Sequence, residues 1–256
     1  MRSRAFRLPD WLVYFRTMGL FCLLWYGLSI LTPNKILLPS PLDVVAALKE
    51  TAIDGELFTN AATSLVRLLI SVALAVCVAV PLGLLIGLNR VWDDVLELPV
   101  ELLRPIAGIA WIPLALFIFG IGHRLPIFIM FYTAFFPLLI GTAAGVRNID
   151  PRLLAAGATM GITGMPLIQR IIVPAALPSI LVSLRLAVGG AWTAVVAAEL
   201  VGAPSGLGYA IEYYRSMLST PHVMAFIAAV GVLGFITDRI LRFLEIKFTP
   251  WARRER

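Results

Sequence analysis

Six long apolar stretches constrain this chain more than any other feature of its sequence. A helix that crosses a bilayer needs about 20 predominantly apolar residues. The chain is 60% hydrophobic and 14% charged, which indicates lipid rather than water around much of its surface. We therefore expect an all-α membrane protein with a single transmembrane domain over residues 1–256. The six transmembrane helices are expected at Trp11–Leu31, Leu65–Leu88, Val100–Gly120, Leu125–Gly145, Ser179–Val201 and His222–Leu244.

The distribution of lysine and arginine predicts the orientation, because short cytoplasmic loops carry an excess of both. With the N-terminus placed in the cytoplasm, the opposite side holds five of them, namely Lys35, Lys49, Arg67, Arg124 and Arg215. The cytoplasmic side then holds sixteen, namely Arg2, Arg4, Arg7, Arg16, Arg90, Arg104, Arg147, Arg152, Arg170, Arg185, Arg239, Arg242, Lys247, Arg253, Arg254 and Arg256. We expect both termini in the cytoplasm.

Several kinds of site are excluded by what the sequence contains. Two cysteines inside apolar runs do not indicate a disulfide framework, and two distant histidines, His123 and His222, supply too few ligands for a metal site. The sequence has no Gly-Lys pair, so it has no phosphate-binding loop. We expect no catalytic residues, no metal and no cofactor on this chain. Basic residues interleaved with stacking aromatics are also missing, so we expect no nucleic acid.

The connections between the predicted helices differ in character. The segment from Thr32 to Ser64 is long, and Ser40 with Pro41 predicts the N-cap and first residue of a short helix within it. Residues 89–99 form an acidic cytoplasmic connection. The link around His123 is very short, so the third and fourth helices should be antiparallel neighbours.

The cytoplasmic segment 147–178 is too long for a simple turn. Asp150 and Pro151 suit the N-cap and first residue of a short helix over Leu153–Met160, and Gly161 can end it in the left-handed conformation. Thr163 can cap a second helix that runs to about Val173. Prolines 174 and 178 should then interrupt the path into the fifth transmembrane helix.

Two interpretations of the Leu153–Met160 helix stay open on physical grounds. In one, the helix docks into a groove of a partner protein. In the other, it lies along the surface of the bilayer.

The same segment resembles the EAA loop of ABC importer permeases, in which small residues and a glycine precede an Ile-x-x-Pro-like ending. The resemblance extends over about residues 36–251 and points to the nitrate/sulfonate/taurine permease family. The motifs that carry it are Ala155-Ala156-Gly157, Gly161, Ile172-Val173-Pro174, Leu177-Pro178, Leu38-Pro39-Ser40-Pro41, Ser64-Leu65-Val66-Arg67, Leu103-Arg104-Pro105, Ala110-Trp111-Ile112-Pro113-Leu114, Phe119-Gly120-Ile121-Gly122, Ala191-Trp192, Ala197-Ala198-Glu199 and Gly206-Leu207-Gly208-Tyr209.

The loop departs from the family pattern at two positions. Ala155 stands where the family has the glutamate that names the loop, and Ala158 stands where an arginine is common. The family's polar contacts therefore cannot be transferred to these two residues. The resemblance implies that the segment couples the chain to an ATPase, through Leu153, Leu154, Ala155, Ala156, Gly157, Met160 and Gly161.

The resemblance also implies a function and a set of partners. The expected fold is the type I ABC importer permease fold in a bacterial cytoplasmic (inner) membrane. Expected partners are cytoplasmic ATPase subunits, which bind ATP and Mg, a periplasmic or lipoprotein solute-binding protein, and a second copy of the chain. The cargo is expected to be a small anion such as nitrate, a sulfonate, taurine, bicarbonate or cyanate, which enters by alternating access.

Polar and small residues inside the predicted helices are candidates for the translocation path. Arg185 and Glu199 lie toward opposite ends of the fifth helix, roughly 21 Å apart at the helical rise, and anchoring or pairing between helices is the alternative role for each. Asp238 is expected to pair with Arg242 on its own helix. The full set of candidates for the path is Trp111, Arg185, Gly189, Gly190, Trp192 and Glu199.

Three rival functions remain to be weighed against an importer. A secondary transporter or channel would work without an ATPase and should carry carboxylates at the centre of its helices. An intramembrane enzyme should show clustered histidine, aspartate or serine residues. A scaffold protein would transport nothing, and a stoichiometric ATPase that co-purifies with the chain would argue against all three.

Overall fold

The computed structural model describes residues 10–32 and 37–253, which are almost entirely helical. Arg2, Arg4, Arg7, Lys35, Arg254 and Arg256, on which the predicted orientation partly rests, lie outside these residues. The helices are α1 (Asp10–Leu31), α2 (Pro41–Ile53), α3 (Glu56–Leu88), α4 (Arg90–Leu103), α5 (Gly108–Phe119), α6 (Arg124–Arg147), α7 (Pro151–Thr159), α8 (Met165–Gly202), α9 (Leu207–Ser216) and α10 (Thr220–Phe248). A last 3₁₀ turn covers Pro250–Arg253.

Four helices of the described chain, α3, α6, α8 and α10, are each long and apolar enough to cross a membrane. A fifth crossing is formed if α4 and α5, which bend by 81° at their junction, are counted as one span. In α1 the apolar helical part, Gly19–Leu31, is shorter. The structure thus confirms an all-helical protein with four to five apolar spans, while the number six and the cytoplasmic termini stay predictions.

The prediction of one continuous third helix over Val100–Gly120 was wrong. Residues 90–103, which include most of the predicted acidic connection, form the separate helix α4, and the chain turns sharply before α5 begins at Gly108. Pro105 follows the C-cap residue Arg104 and has no N–H to continue the helix. Gly108 then lies so close to Thr133 of α6 that a Cβ atom would overlap the Thr133 hydroxyl.

The core of the fold is built by α3, α6 and α8, with α6 in the middle. Glycines on α3 and α6 let the helix backbones approach closely. A Cβ on Gly83 would lie 2.7 Å from Thr142 Cβ, and a Cβ on Gly145 would lie 2.7 Å from Ser179 Cβ. This packing fixes α8, which carries most of the predicted path residues, against the centre of the molecule.

The two predicted helix starts with proline at the first position are confirmed. Ser40 caps α2, where its hydroxyl accepts from the Asp43 backbone N–H and the Asp43 side chain accepts from the Ser40 backbone N–H. Asp150 caps α7 and accepts from the Arg152 backbone N–H at 2.8 Å. Both caps satisfy N–H groups that the first turn of a helix leaves unpaired.

The predicted break between the cytoplasmic segment and the fifth helix was wrong. Gly164, not Thr163, is the N-cap, and from Met165 the chain stays helical to Gly202. Pro174 is accommodated because a π-helical turn, Ile168–Ile172, precedes it and changes the backbone spacing that the proline ring would otherwise meet, whereas Pro178 lies within the α-helical part that follows. The segment predicted to be cytoplasmic is therefore continuous, as helix, with the apolar part of α8.

Candidate functional site

Helix α7 presents a small, mostly apolar surface on the outside of the described structure. Leu153 is 50% exposed and Met160 is 76% exposed, and Ala155 and Ala156 are also exposed. Gly161 follows with φ +71° and ends the helix as predicted. The exposed residues on α7, from Leu153 to Met160, are called the α7 surface below.

The buried side of α7 packs on the beginning of α8. Gly157 is buried, and a Cβ atom built on it would lie 2.6 Å from Ile171 Cδ1 and 3.2 Å from Leu167 Cδ1. Leu154 on the same side is partly buried and contributes to the main core. The glycine thus lets α7 contact the beginning of α8 closely, including Ile171 of the π-helical turn.

The predicted path residues on α8 lie on different sides of that helix. Gly189 is exposed, and no atom of the described chain lies within 4 Å of a Cβ built there. Gly190 faces Thr133 of α6, and a Cβ built on it would lie 3.3 Å from Thr133 Cγ2. Trp192 is buried and donates to Thr237 Oγ1 at 2.8 Å. The structure therefore leaves only Gly189 of these three on an open surface.

Trp111 lies in the first turn of α5, next to the bend between α4 and α5. Its ring packs on Tyr132 with centroids 5.6 Å apart. Its indole Nε1 is buried and has no hydrogen-bond partner among the described residues. Trp111 packs against a small apolar cluster with Ile112 and Ala115 of α5, whereas Trp192 belongs to the main core.

Arg185 forms ion pairs with two carboxylates of α10. Its Nη2 lies 3.0 Å from Asp238 Oδ1 and its Nη1 lies 3.1 Å from Glu245 Oε2. Asp238 thus bonds to Arg185 and not, as predicted, to Arg242 on its own helix, because the extended guanidinium reaches across from α8. Arg185 and Glu245 border a cavity of about 870 Å³ between α6, α8 and α10, and Arg242 lines the same cavity.

Glu199 lies near the other end of α8 and is completely buried. Arg67 Nη1 donates to Glu199 Oε1 at 2.6 Å, and Ser64 Oγ lies 2.8 Å from Oε2. The backbone N–H of Gly208 donates to Oε2 at 3.0 Å. A buried carboxylate is stable only when its charge is paired and its oxygens accept hydrogen bonds, and Glu199 meets both conditions.

The same cluster fastens the segment between α8 and α9. Arg67 donates to the carbonyl and to the hydroxyl of Ser205, and the Gly206 N–H donates to Asn60 Oδ1 at 2.9 Å. Gly206 has φ +111°, and a Cβ there would lie 2.5 Å from the Glu199 carboxylate. Glycine is therefore required where the backbone passes over the buried charge.

Comparison with known proteins decides the family. Residues 79–249 match the model of the binding-protein-dependent transport system inner membrane component. A putative ABC transporter permease of Methanocaldococcus jannaschii is 38% identical over 92% of this chain and 90% of its own length. The taurine transport system permease of Escherichia coli is 31% identical over 92% of this chain and 88% of its own length.

This chain belongs to the family of binding-protein-dependent inner-membrane transport components. A nitrate import permease of Synechococcus elongatus is 30% identical over 96% of this chain and 93% of its own length. The relatives are transport permeases of the inner membrane and not enzymes, and the resemblance to nitrate, sulfonate and taurine permeases is confirmed. The family implies an ATPase and a binding protein as partners in general.

A solved structure supports the fold of the permease independently. The chain superimposes on an inward-facing MetNI methionine ABC transporter with a TM-score of 0.62 and 20% identity, over 75% of this chain and 97% of that one. Because the identity is low, this likeness establishes the fold alone.

Sequence reasoning missed Arg67 as the partner of Glu199, together with Ser64, Asn60, Ser205 and His123. Arg67 was counted only as a basic residue at a helix end, although it lies within the predicted span Leu65–Leu88. A charged arginine inside an apolar run indicates that a buried partner, such as a carboxylate, lies on another helix. A second signal was that three motifs of the family resemblance contain Arg67, Glu199 and Gly206, and the structure brings all three together.

Proposed function

We propose that this permease is the transmembrane subunit of an ATP-driven ABC importer that moves a small anion into the cytoplasm by alternating access. The observation that carries the proposal is the contact of Gly157 with the start of α8, beneath the exposed α7 surface. A partner that binds this surface and moves it would shift α8, and with it the open face around Gly189. That is the mechanical link that an importer needs.

The α7 surface suits a protein partner better than a membrane surface. Interfacial helices on anionic lipid carry lysine or arginine on their polar side, whereas the exposed side of α7 holds small and apolar residues with a single arginine, Arg152. A short capped helix with a small apolar surface fits a groove. We assign the groove to the cytoplasmic ATPase subunits, which bind ATP and Mg, while this chain binds no cofactor.

A second copy of the chain completes the path in this proposal. Residues 104–107 at the bend between α4 and α5 are exposed and lie within the predicted third span. Non-helical backbone at membrane depth is tolerated only against protein or a water-filled cavity. A homodimer with the bend and the Gly189 face near its axis would surround the bend with protein and with a water-filled cavity. Residues 104–107 and Gly189 would then border the translocation path.

The class of cargo is proposed from the relatives, whose names include taurine, aliphatic sulfonate and nitrate transport. A solute-binding protein on the outer face would select the cargo and deliver it. Arg185 would offer positive charge near the inner end of the path, although its two carboxylate partners make its contact with an anion brief.

Uptake by proteoliposomes that contain the purified complex tests this function. The probes are labelled taurine and labelled nitrate, each with its binding protein, with ATP supplied on the side of the ATPase. We expect uptake of one probe that requires ATP and persists when ion gradients are collapsed. Uptake without ATP, driven by an ion gradient, would instead identify a secondary transporter.

Deletion of the gene then separates the candidate cargoes. Loss of growth on sulfonates as the sulfur source, with normal growth on nitrate, would identify a sulfonate importer. Loss of growth on nitrate or cyanate as the nitrogen source would identify an importer of these ions. Normal growth on all of them would contradict the proposed cargo class.

A further inference from the structure

The cavity between α6, α8 and α10 is large enough to hold a small molecule. Its volume of about 870 Å³ lies in the range of about 300–1,000 Å³ that is usual for ligand pockets. It is located at the ends of the three helices that are predicted to face the cytoplasm. Polar side chains line it from each helix: Asn148 follows α6, Ser179 lies on α8, and Arg242 and Glu245 lie on α10.

Three polar groups of this lining are available to a ligand. The Asn148 amide, the Ser179 hydroxyl and the Arg242 guanidinium are exposed, and none of them has a hydrogen bond or ion pair among the described residues. The hydroxyls of Ser183 and Thr249 are already used, since each donates to the carbonyl of the residue four positions before it. The three available groups come from three different helices, and all of them can donate hydrogen bonds.

Opposite charges lie side by side on the α10 wall without pairing to each other. Arg242 and Glu245 are three residues apart, a spacing that places their Cβ atoms within about 5–6 Å and often leads to an ion pair. Here Arg185 of α8 binds Glu245 Oε2 at 3.1 Å instead. Among the described residues, Arg242 then has no carboxylate and Glu245 Oε1 has no donor. The cavity therefore presents an unpaired guanidinium next to an unpaired carboxylate oxygen.

The balance of charge around the cavity favours a ligand with two oppositely charged ends. Arg185 is neutralised by Asp238 and Glu245, and with Arg242 the cluster holds two positive and two negative side chains. A simple anion would be attracted to Arg242 but would also lie beside Glu245, whereas a zwitterion can place one end against each. Sulfonate or phosphate oxygens accept from guanidinium, hydroxyl and amide groups, and a primary ammonium donates to a carboxylate.

We propose that this cavity binds a small zwitterion in which two carbon atoms separate an oxyanion from a primary ammonium. Arg242, Ser179 and Asn148 bind the oxyanion, and Glu245 Oε1 accepts from the ammonium. Two sources share this chemistry, namely an aminosulfonate solute that is entering the cytoplasm and the phosphoethanolamine headgroup of a bilayer lipid. The first source rests on the proposed function and makes the cavity a release site for cargo. The second source does not depend on transport.

Binding of labelled taurine, which is 2-aminoethanesulfonate, to the purified full-length permease tests the proposal. The permease is placed in nanodiscs of phosphatidylcholine, whose quaternary ammonium has no N–H group for Glu245. Neither the ATPase nor a binding protein is present, so failure of this binding is distinct from failure of ATP-driven uptake. We expect saturable binding of taurine. The competitor 2-hydroxyethanesulfonate should bind roughly tenfold more weakly, because a hydrogen bond between two charged groups is stronger than one from a neutral hydroxyl.

Substitutions on α10 assign the two ends of the ligand. Arg242→Gln should weaken the binding of both sulfonates roughly tenfold, since both lose the guanidinium. Glu245→Gln should weaken taurine and remove its advantage over 2-hydroxyethanesulfonate, a change in selectivity that a purely structural role of Glu245 would not produce. Arg239→Gln is the matched control, because Arg239 packs over the Phe235 ring on the same helix and does not line the cavity. It should bind taurine as the wild type does.

A second set of nanodiscs identifies the source of the ligand. If the solute is the ligand, replacing phosphatidylcholine by phosphatidylethanolamine should leave the binding of taurine unchanged. If the headgroup is the ligand, phosphatidylethanolamine should block taurine. Native mass spectrometry should then detect this lipid on the wild type but not on Arg242→Gln.

Three results would overturn the proposal. One is a wild type that binds neither taurine nor phosphatidylethanolamine. Another is binding that Arg242→Gln and Glu245→Gln leave unchanged. The third is binding of taurine to the wild type that is no tighter than binding of 2-hydroxyethanesulfonate.

Discussion

Arg67 of α3 and Glu199 of α8 form a buried ion pair, with Arg67 Nη1 2.6 Å from Glu199 Oε1 and side chains 2% and 0% exposed. The pair joins two of the three core helices at one end of the molecule. It also lies beneath the segment that leads into α9. Glu199 was predicted as a path residue, and that role stays a prediction, but the described residues around its carboxylate shield it from the surface.

Replacing one partner of this ion pair should destabilise the permease strongly. Glu199→Gln leaves Arg67 as an unpaired buried charge, which costs about 3–5 kcal/mol. Thermal unfolding of the purified protein in detergent measures the effect. Arg67→Met combined with Glu199→Gln should recover part of the loss. The control Arg215→Gln, which breaks an exposed pair with Glu212, should lower the melting temperature much less. Equal decreases in the melting temperatures of Glu199→Gln and Arg215→Gln would contradict this account.

Gly206→Ala should be far more harmful than alanine at another left-handed glycine. Gly55 has the left-handed helical φ of +76°, where alanine costs about 1–2 kcal/mol of backbone energy. Gly206, with φ +111° and ψ 171°, lies in a region that is essentially restricted to glycine, where strain costs about 1–3 kcal/mol. Gly206 alone of these two has the Glu199 carboxylate within 2.5 Å of the new Cβ, whereas Gly55 has open space among the described residues. Similar unfolding temperatures for Gly206→Ala and Gly55→Ala would show that the close approach is unimportant.

Graded substitution of Gly157 tests the contact between α7 and α8. Gly157→Ala should be tolerated, because the atom that its Cβ would meet is the mobile end of Ile171. Gly157→Leu should push α7 away from α8, at an overpacking cost of about 1–3 kcal/mol, and abolish uptake while the protein still inserts. Uptake per inserted permease is the measurement, and normal uptake by Gly157→Leu would mean that α7 does not act on α8 through this contact.

A large side chain at Gly189 should block transport. Gly189 and Gly231 are both exposed helical glycines with no atom of the described chain within 4 Å of a built Cβ. Gly189→Phe would fill the proposed path at the dimer axis, whereas Gly231→Phe would place a ring on an exposed side of α10 that the proposal does not assign to the path. We expect lost uptake in the first variant and near-normal uptake in the second. Equal uptake by the two variants would remove Gly189 from the path.

Burial should keep Tyr214 of α9 protonated over the whole working range of pH. Its hydroxyl donates to Glu56 Oε2 at 2.6 Å, and burial, followed by this bond to a carboxylate, raises the pKa of Tyr214 far above its usual value. Tyr214→Phe should therefore lower stability by about 1.5–3 kcal/mol, as for a hydrogen bond to a charged group. The loss should be the same at pH 7 and pH 9 and should become smaller at about pH 11, because a tyrosine in the unfolded chain ionises near pH 10 while folded Tyr214 stays protonated. A loss that is unchanged at about pH 11 would contradict the shift.

The sequence predicted the local features of the fold well, because they depend on neighbouring residues. Ser40 and Asp150 cap their helices with the proline that follows each of them, and Gly161 takes its left-handed conformation. The apolar length of the chain likewise predicted α3, α6, α8 and α10, since lipid imposes that length directly. These features need no knowledge of which helices touch.

The tertiary features could not be predicted in the same way. Arg67 is separated from Glu199 by 132 positions, and Arg185 bonds to another helix and not to a residue on its own. The bend after Arg104 depends on the close approach of Gly108 to Thr133 as well as on Pro105. Pro174 lies within a helix because the π-helical turn before it changes the backbone spacing that the proline ring would otherwise meet. Each of these features is determined by contacts that the order of residues does not reveal.

The amount of ATPase that co-purifies with the tagged permease tests the central claim most directly. The variants are Leu153→Glu and Met160→Glu on the α7 surface, and the control is Met217→Glu, an exposed methionine just after α9 at the opposite end of the molecule. The account predicts stoichiometric ATPase with the wild type and with Met217→Glu, and little with either α7 variant. Undiminished ATPase with both α7 variants, or none with the wild type, would contradict it.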